Sequence, residues 1–227
     1  MPIARIAACA ALLWMVPVQA GHKWPLSDSQ LQDRVPGAHV AQRLDVDLNA
    51  DGVVDTVVSL AYDDAPDRDA YRSVQVFWGH HQDPRVMSDE DDGDGGNGYA
   101  NFESSPHGAP QLSFRKGILL VEDLTGGTTA TQATYRYRFD PEADDMRLIG
   151  LDAERYSRTN SHGSIKLSWN VATGARIVQR GEINDDTARD DAALHYGPER
   201  RWVDKSRTYY YMPDTPNPDE LLDAIPQ

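Results

Sequence analysis

Four oxygen-bearing side chains recur along Asp47-Leu48-Asn49-Ala50-Asp51-Gly52-Val53-Val54-Asp55, at positions 1, 3, 5 and 9, with glycine at position 6. A hard cation requires this of a tight loop. Alternate residues turn inward, the glycine permits a sharp turn, and the residue at position 7 supplies its backbone carbonyl. The spacing assigns Asp47, Asn49, Asp51 and Asp55 as side-chain ligands, Val53 as the carbonyl donor, and calcium as the ion. Position 12 is Val58, not glutamate. The bidentate carboxylate of a helix-loop-helix site is therefore missing, a strand follows, and the expected role is to hold a loop rather than to sense a signal. The competing explanation is an Asx-rich turn that joins two elements without metal.

Other chemistry-bearing stretches are less specific. Asp89-Glu90-Asp91-Asp92-Gly93-Asp94-Gly95-Gly96-Asn97-Gly98 is poorly spaced for a second cation, and it reads as a solvated acidic loop or a contact surface. Asp185-Asp186 and Asp190-Asp191 read the same way. His80 and His81 are adjacent, so on a strand they would point to opposite faces and could not share a zinc ion. The chain has no nucleophile elbow, no H-E-x-x-H and no phosphate-cradling glycine loop. Gly126-Gly127-Thr128-Thr129 is best explained as a tight turn between strands. Tyr209-Tyr210-Tyr211 cannot all face inward on a strand, which makes Tyr210 and its neighbours candidates for an interface. Asp89, Asp91, Asp94, Asp185 and Tyr210 are the expected partner contacts.

The elements that must position these residues are strands. Val53 to Tyr62 is a β-branched run. Ser73 to Trp78 alternates, and Tyr135, Tyr137 and Phe139 oppose Arg136 and Arg138. Ile165, Leu167, Trp169 and Val171 repeat the period of two, and Trp202 and Tyr209–Tyr211 do so less cleanly. Lys116-Gly117, Glu142 to Asp145 and Thr173-Gly174 supply hairpin turns. Short helices are expected only at the ends: one capped near Ser27 and running through Val35, one opening at Asn217-Pro218 and running through Ile225. Long polar connections are expected at 63–72, 80–110 and 183–198. The predicted fold is all-β, built of antiparallel meanders.

Residues 1–20 read as a signal peptide: Arg5 ahead of the apolar run Ile6–Val18, then Val18-Gln19-Ala20 as a small-residue cleavage site. Cys9 is the only cysteine and falls within that segment, so residues 21–227 form an expected single thiol-free domain in an oxidising compartment. The chain carries 22 basic and 36 acidic residues, a formal charge of −14. Removing the leader with Arg5 takes this to −15. Such acidity argues against nucleic acid and anionic membranes as partners and favours cations or a basic protein surface.

The D-x-[DN]-x-D-G-x-x-D loop running into an apolar strand resembles the calcium loops of integrin-type bacterial β-propeller repeats, in which the loop joins neighbouring strands of a blade. Gly117-Ile118-Leu119-Leu120-Val121, Gly126-Gly127-Thr128, Tyr135 to Phe139, Leu148-Ile149-Gly150 and Asn170 to Gly174 resemble a family of small bacterial periplasmic proteins. Some of these resemble immunity proteins that block peptidoglycan hydrolases delivered by rival bacteria, and they are similar in shape to lysozyme inhibitors. The resemblance implies a β-propeller-like fold and a non-enzymatic role as a calcium-binding periplasmic inhibitor of a basic, lysozyme-like hydrolase. Two alternatives stand beside it: a carbohydrate- or envelope-binding β module without inhibitory activity, and a hydrolase whose paired carboxylates are a spatial arrangement that sequence does not display.

Overall fold

The computed structural model describes residues 25–62, 72–79, 98–103, 105–184, 193–205 and 208–226. Helix α1 (Asp28–Arg34) starts where a capping box satisfies its first free amides. Ser27 Oγ accepts from Gln30 N at 3.3 Å, and Gln30 Oε1 accepts from Ser27 N at 2.9 Å. Strands β1 (His39–Val46), β2 (Asp55–Ala61), β3 (Arg72–Phe77) and β4 (Tyr99–Phe102) follow as a four-stranded antiparallel meander.

A second, larger meander takes up most of the remaining chain. It comprises β5 (Gln111–Arg115), β6 (Ile118–Gly126), β7 (Thr129–Asp140), β8 (Asp145–Ser157), β9 (Ser164–Asn170) and β10 (Ala175–Ile183). The far edge of β10 is covered in two parts, by β11 (Leu194–Tyr196) and β12 (Arg200–Val203). Among the described residues every strand pairing is antiparallel, as the period-two runs and turn residues predict. Among the described residues neither sheet path closes into a ring. At the β5–β6 hairpin, Lys116 (φ 52°) and Gly117 (φ 72°) both adopt left-handed backbone, the geometry that a two-residue turn between twisted strands demands.

The inner faces of the two sheets share one core. Val57, Val76 and Trp78 from the first meet Tyr135, Tyr137, Leu148 and Leu167 from the second. The opposite face of β2 and β3 packs Val58, Leu60 and Phe77 under Leu31 of α1 and its C-cap residue Val35. Covered on both faces, β2 is buried continuously from Asp55 to Leu60 instead of alternating, and its apolar residues Val57, Val58 and Leu60 are interspersed with the buried polar Asp55, Thr56 and Ser59. The two sheets are further tied by Gln42 at a bulge in β1. Its amide donates to Leu112 O at 2.7 Å and accepts from Leu112 N at 2.6 Å, satisfying part of the β5 edge.

Three expectations are revised. The 80–110 stretch contains β4 and the 183–198 stretch contains β11, strands of four and three residues that are too short to show a period. Tyr209–Tyr211 is not a strand. Only Tyr211 bridges to Arg147, because the chain then turns through a 3-10 turn (Met212–Asp214) and three prolines into helix α2 (Pro218–Asp223). That helix ends two residues before Ile225, which is buried in the shared core beyond it. The C-terminal segment lies along the inner face of the large sheet. Thr215 Oγ1 is 2.7 Å from the Tyr137 hydroxyl, and Thr131 Oγ1 donates to Asp219 at 2.6 Å.

Candidate functional site

The Asp47–Asp55 loop is the turn between β1 and β2. Left-handed backbone at Ala50 (φ 62°) and Gly52 (φ 87°) winds the chain around its own carboxylates. Asp47 accepts from Asp51 N at 3.2 Å and from Gly52 N at 3.0 Å. Asn49 Oδ1 accepts from Asp51 N at 3.1 Å, and Asn49 Nδ2 donates to Asp51 Oδ2 at 3.0 Å. Asp51 Oδ1 accepts from Val53 N at 2.6 Å. The side chains of residues 47, 49 and 51 are thus gathered around one short stretch of backbone, with Asp51 at the exposed tip.

Asp55 plays a different part. It is fully buried, with one carboxylate oxygen accepting from Leu48 N at 2.8 Å and the other from Gly79 N at 2.8 Å. Two further side chains support the loop from below: Thr56 Oγ1 donates to Asp45 at 2.9 Å, and Arg43 Nε donates to both oxygens of the same carboxylate at 3.0 Å.

Among the described residues no group of three or more His, Cys, Asp or Glu side chains is gathered to hold a metal ion. The donor set is instead two carboxylates, Asp47 and Asp51, with the Asn49 amide oxygen. Each carboxylate oxygen has two lone pairs, so accepting one N–H is compatible with contact to a cation. This donor chemistry, all oxygen and two-thirds anionic, fits calcium or another hard cation and not zinc. Asp47, Asn49 and Asp51 would hold the ion with the Val53 carbonyl, and Asp55 would brace the loop behind them. A bound calcium would supply positive charge that offsets the repulsion between the loop's carboxylates.

Of the expected partner contacts, Asp89, Asp91, Asp94 and Asp185 lie outside the described residues, as do the stretch 1–20 expected to be a signal peptide and His80-His81. Tyr210 is half-buried, edge-on to Trp169 with centroids 5.6 Å apart. Its neighbour Tyr209 is the exposed member of the trio, at 59%, under the Arg147 guanidinium at 5.1 Å. Tyr211 donates to Asp140 at 3.2 Å, and burial pushes its phenol above the ordinary value.

Two features stand outside the sequence expectations. Arg72, at 2% exposure, forms a fork onto Asp123, at 6%, with N–O distances of 2.5 and 3.2 Å, and thereby joins β3 to β6 across the two sheets. Its remaining donors reach the carbonyls of Glu103 and Gly108. On the outer face of β7–β10 there is an open groove of about 440 Å3, lined mostly by polar residues with Ala153, Leu167 and Ile177 among them.

No protein-family model matches the chain, and no solved structure matches it. Among the described residues no helix is long and apolar enough to cross a membrane.

Proposed function

We propose that the chain is an exported, calcium-clamped binding protein that blocks a basic, lysozyme-like peptidoglycan hydrolase in the periplasm. One observation carries this reading: the bond from Gly79 N to Asp55 ties the candidate calcium loop to the root of the β3–β4 connection. That connection carries Asp89, Asp91 and Asp94 in the sequence. At its other end, Gly98 O accepts from Val76 N at 2.8 Å. A cation in the loop would therefore stiffen the base of the most acidic stretch of the chain. A formal charge of −15 without residues 1–20 speeds encounter with a basic enzyme and complements its rim. In this reading the β1–β4 meander is a blade-like unit, with its cation loop between the first two strands as in β-propeller repeats.

The test is lysis of purified peptidoglycan by several muramidases, including one encoded beside this gene, with and without the mature protein. The proposal expects stoichiometric loss of lysis for at least one enzyme. Unchanged lysis by all of them rejects it. The groove on β7–β10 favours a second reading, an envelope-binding module retained on peptidoglycan with no partner enzyme present.

A further inference from the structure

The groove on the large sheet is built from two adjacent cross-strand rows. Gln132, Glu154, Lys166 and Gln179 are successive partners across β7, β8, β9 and β10. Thr134, Asp152, Ser168 and Ile177 form the next row on the same face. All eight line the groove. At roughly 4.8 Å between strands, each row presents a side chain about every 5 Å over some 14 Å, on backbone held by ladders on both sides. A volume of about 440 Å3 lies within the range of small-ligand sites.

Charge decides the ligand class. Each carboxylate at the groove already has a cation. Asp152 pairs with Arg136 at 2.5 Å, Glu154 with Lys166 at 3.6 Å, and Glu199 with Arg201. The surface is thus rich in donors and acceptors but has no unbalanced charge to recruit an ion. Gln132 and Thr134 make no side-chain hydrogen bond with other described residues, and Ile177 adds an apolar patch. Ser168 Oγ donates to Asp152 at 2.7 Å, which fixes one carboxylate as an oriented acceptor. Beside the lining residues, on β11, Tyr196 is 41% exposed, with Lys166 Nζ 4.0 Å over its ring and its hydroxyl donating to Glu154 at 3.3 Å. Carboxylates and amides alternating with hydroxyls, beside an exposed aromatic ring, complement vicinal hydroxyls that both donate and accept.

We infer that this groove binds a neutral saccharide, laid across β7–β10 with Tyr196 beside it. The inference rests on the second, envelope-binding reading and is independent of any inhibitory role. The test is a two-dimensional amide NMR titration of the mature protein in calcium with tetra-N-acetylchitotetraose and with cellotetraose. It is run alongside retention on insoluble peptidoglycan. The expected result is perturbation confined to β7–β10 and Tyr196, with affinity between about 0.1 and 5 mM. The double variant Gln132→Ala/Thr134→Val should weaken it at least about fivefold at unchanged melting temperature. Retention of the wild type on peptidoglycan with no perturbation in the groove at about 10 mM saccharide overturns the groove assignment and leaves the envelope-binding reading standing. Absence of both overturns the two together. Perturbation by cationic chitosan oligomers alone contradicts the neutral-ligand assignment.

Discussion

Asp55 and Gly79 lie 24 residues apart and are joined by a 2.8 Å hydrogen bond from the glycine amide to a fully buried carboxylate. The second oxygen of the same carboxylate accepts Leu48 N, so one side chain ties the β1–β2 loop to the end of β3. Asp55→Ala leaves two buried amides without an acceptor and should cost about 2–5 kcal/mol in urea denaturation. Asp55→Asn keeps one acceptor and should fall between. Variants that unfold together with the wild type would show that the anchor contributes nothing.

Gly79 is there because nothing larger fits. A Cβ at this position would stand 2.5 Å from Val54 O and 2.6 Å from Val53 Cγ1. Gly79→Ala must displace the backbone at positions 53–54, where the candidate carbonyl ligand sits. It should destabilise by about 1–3 kcal/mol and weaken calcium binding in calorimetric titration. A stable variant with unchanged calcium affinity contradicts this coupling.

Arg72 and Asp123 form a buried ion pair whose loss is asymmetric. Asp123→Ala strands a guanidinium between the sheets and should cost about 3–5 kcal/mol. Arg72→Met together with Asp123→Leu removes both charges and should recover much of that loss. Chemical denaturation of the three proteins checks the order. A double variant less stable than the single one would show that the pair itself stabilises the native state.

Local signals were legible where their cause is local. Ser27 and Gln30 announce the cap of α1, Lys116-Gly117 announces its turn, and the Tyr135/Arg136/Tyr137 alternation announces a sheet with one apolar face. Features that depend on distant partners were not. Arg72 and Asp123 are 51 residues apart, and neither has a distinctive neighbourhood in the sequence. The rows of the groove exist only once the register of four strands is fixed. Tyr209–Tyr211 has strand-forming residues but pairs its backbone with β8 only through the Tyr211–Arg147 bridge and the bond from Leu148 N to Tyr210 O, because the chain beyond it is committed to covering the core with Met212, Leu222 and Ile225. The spacing of Asp55 marks it as a cation ligand, yet only the fold displays its bond to Gly79.

Asp145 makes stability depend on pH in a stated direction. Burial raises its carboxyl pKa above the ordinary value, Asp144 and Asp214 add to this, and the Met146 amide opposes it. The folded state therefore holds this proton more readily than the unfolded chain does. The resulting stability is complete below the unfolded carboxylate pKa and is lost as pH rises through the raised folded value. Asp145→Asn should melt above the wild type near pH 7, and the difference should shrink toward about pH 4. A melting difference that is constant with pH would contradict the assignment.

Calcium in the Asp47–Asp55 loop is the claim on which the account turns, and thermal unfolding reads it most directly. With free calcium at about 100 times its dissociation constant, linkage stabilises by about 2.7 kcal/mol. For a chain of this size that is a rise of roughly 5–10 °C over chelated protein. Asp51→Ala, which removes a ligand at the exposed tip and spares the Asp55 anchor, should abolish the rise while leaving the chelated melting temperature near that of the wild type. Wild-type protein that melts at the same temperature with calcium and with chelator would show that the loop is an Asx-rich turn and not a metal site.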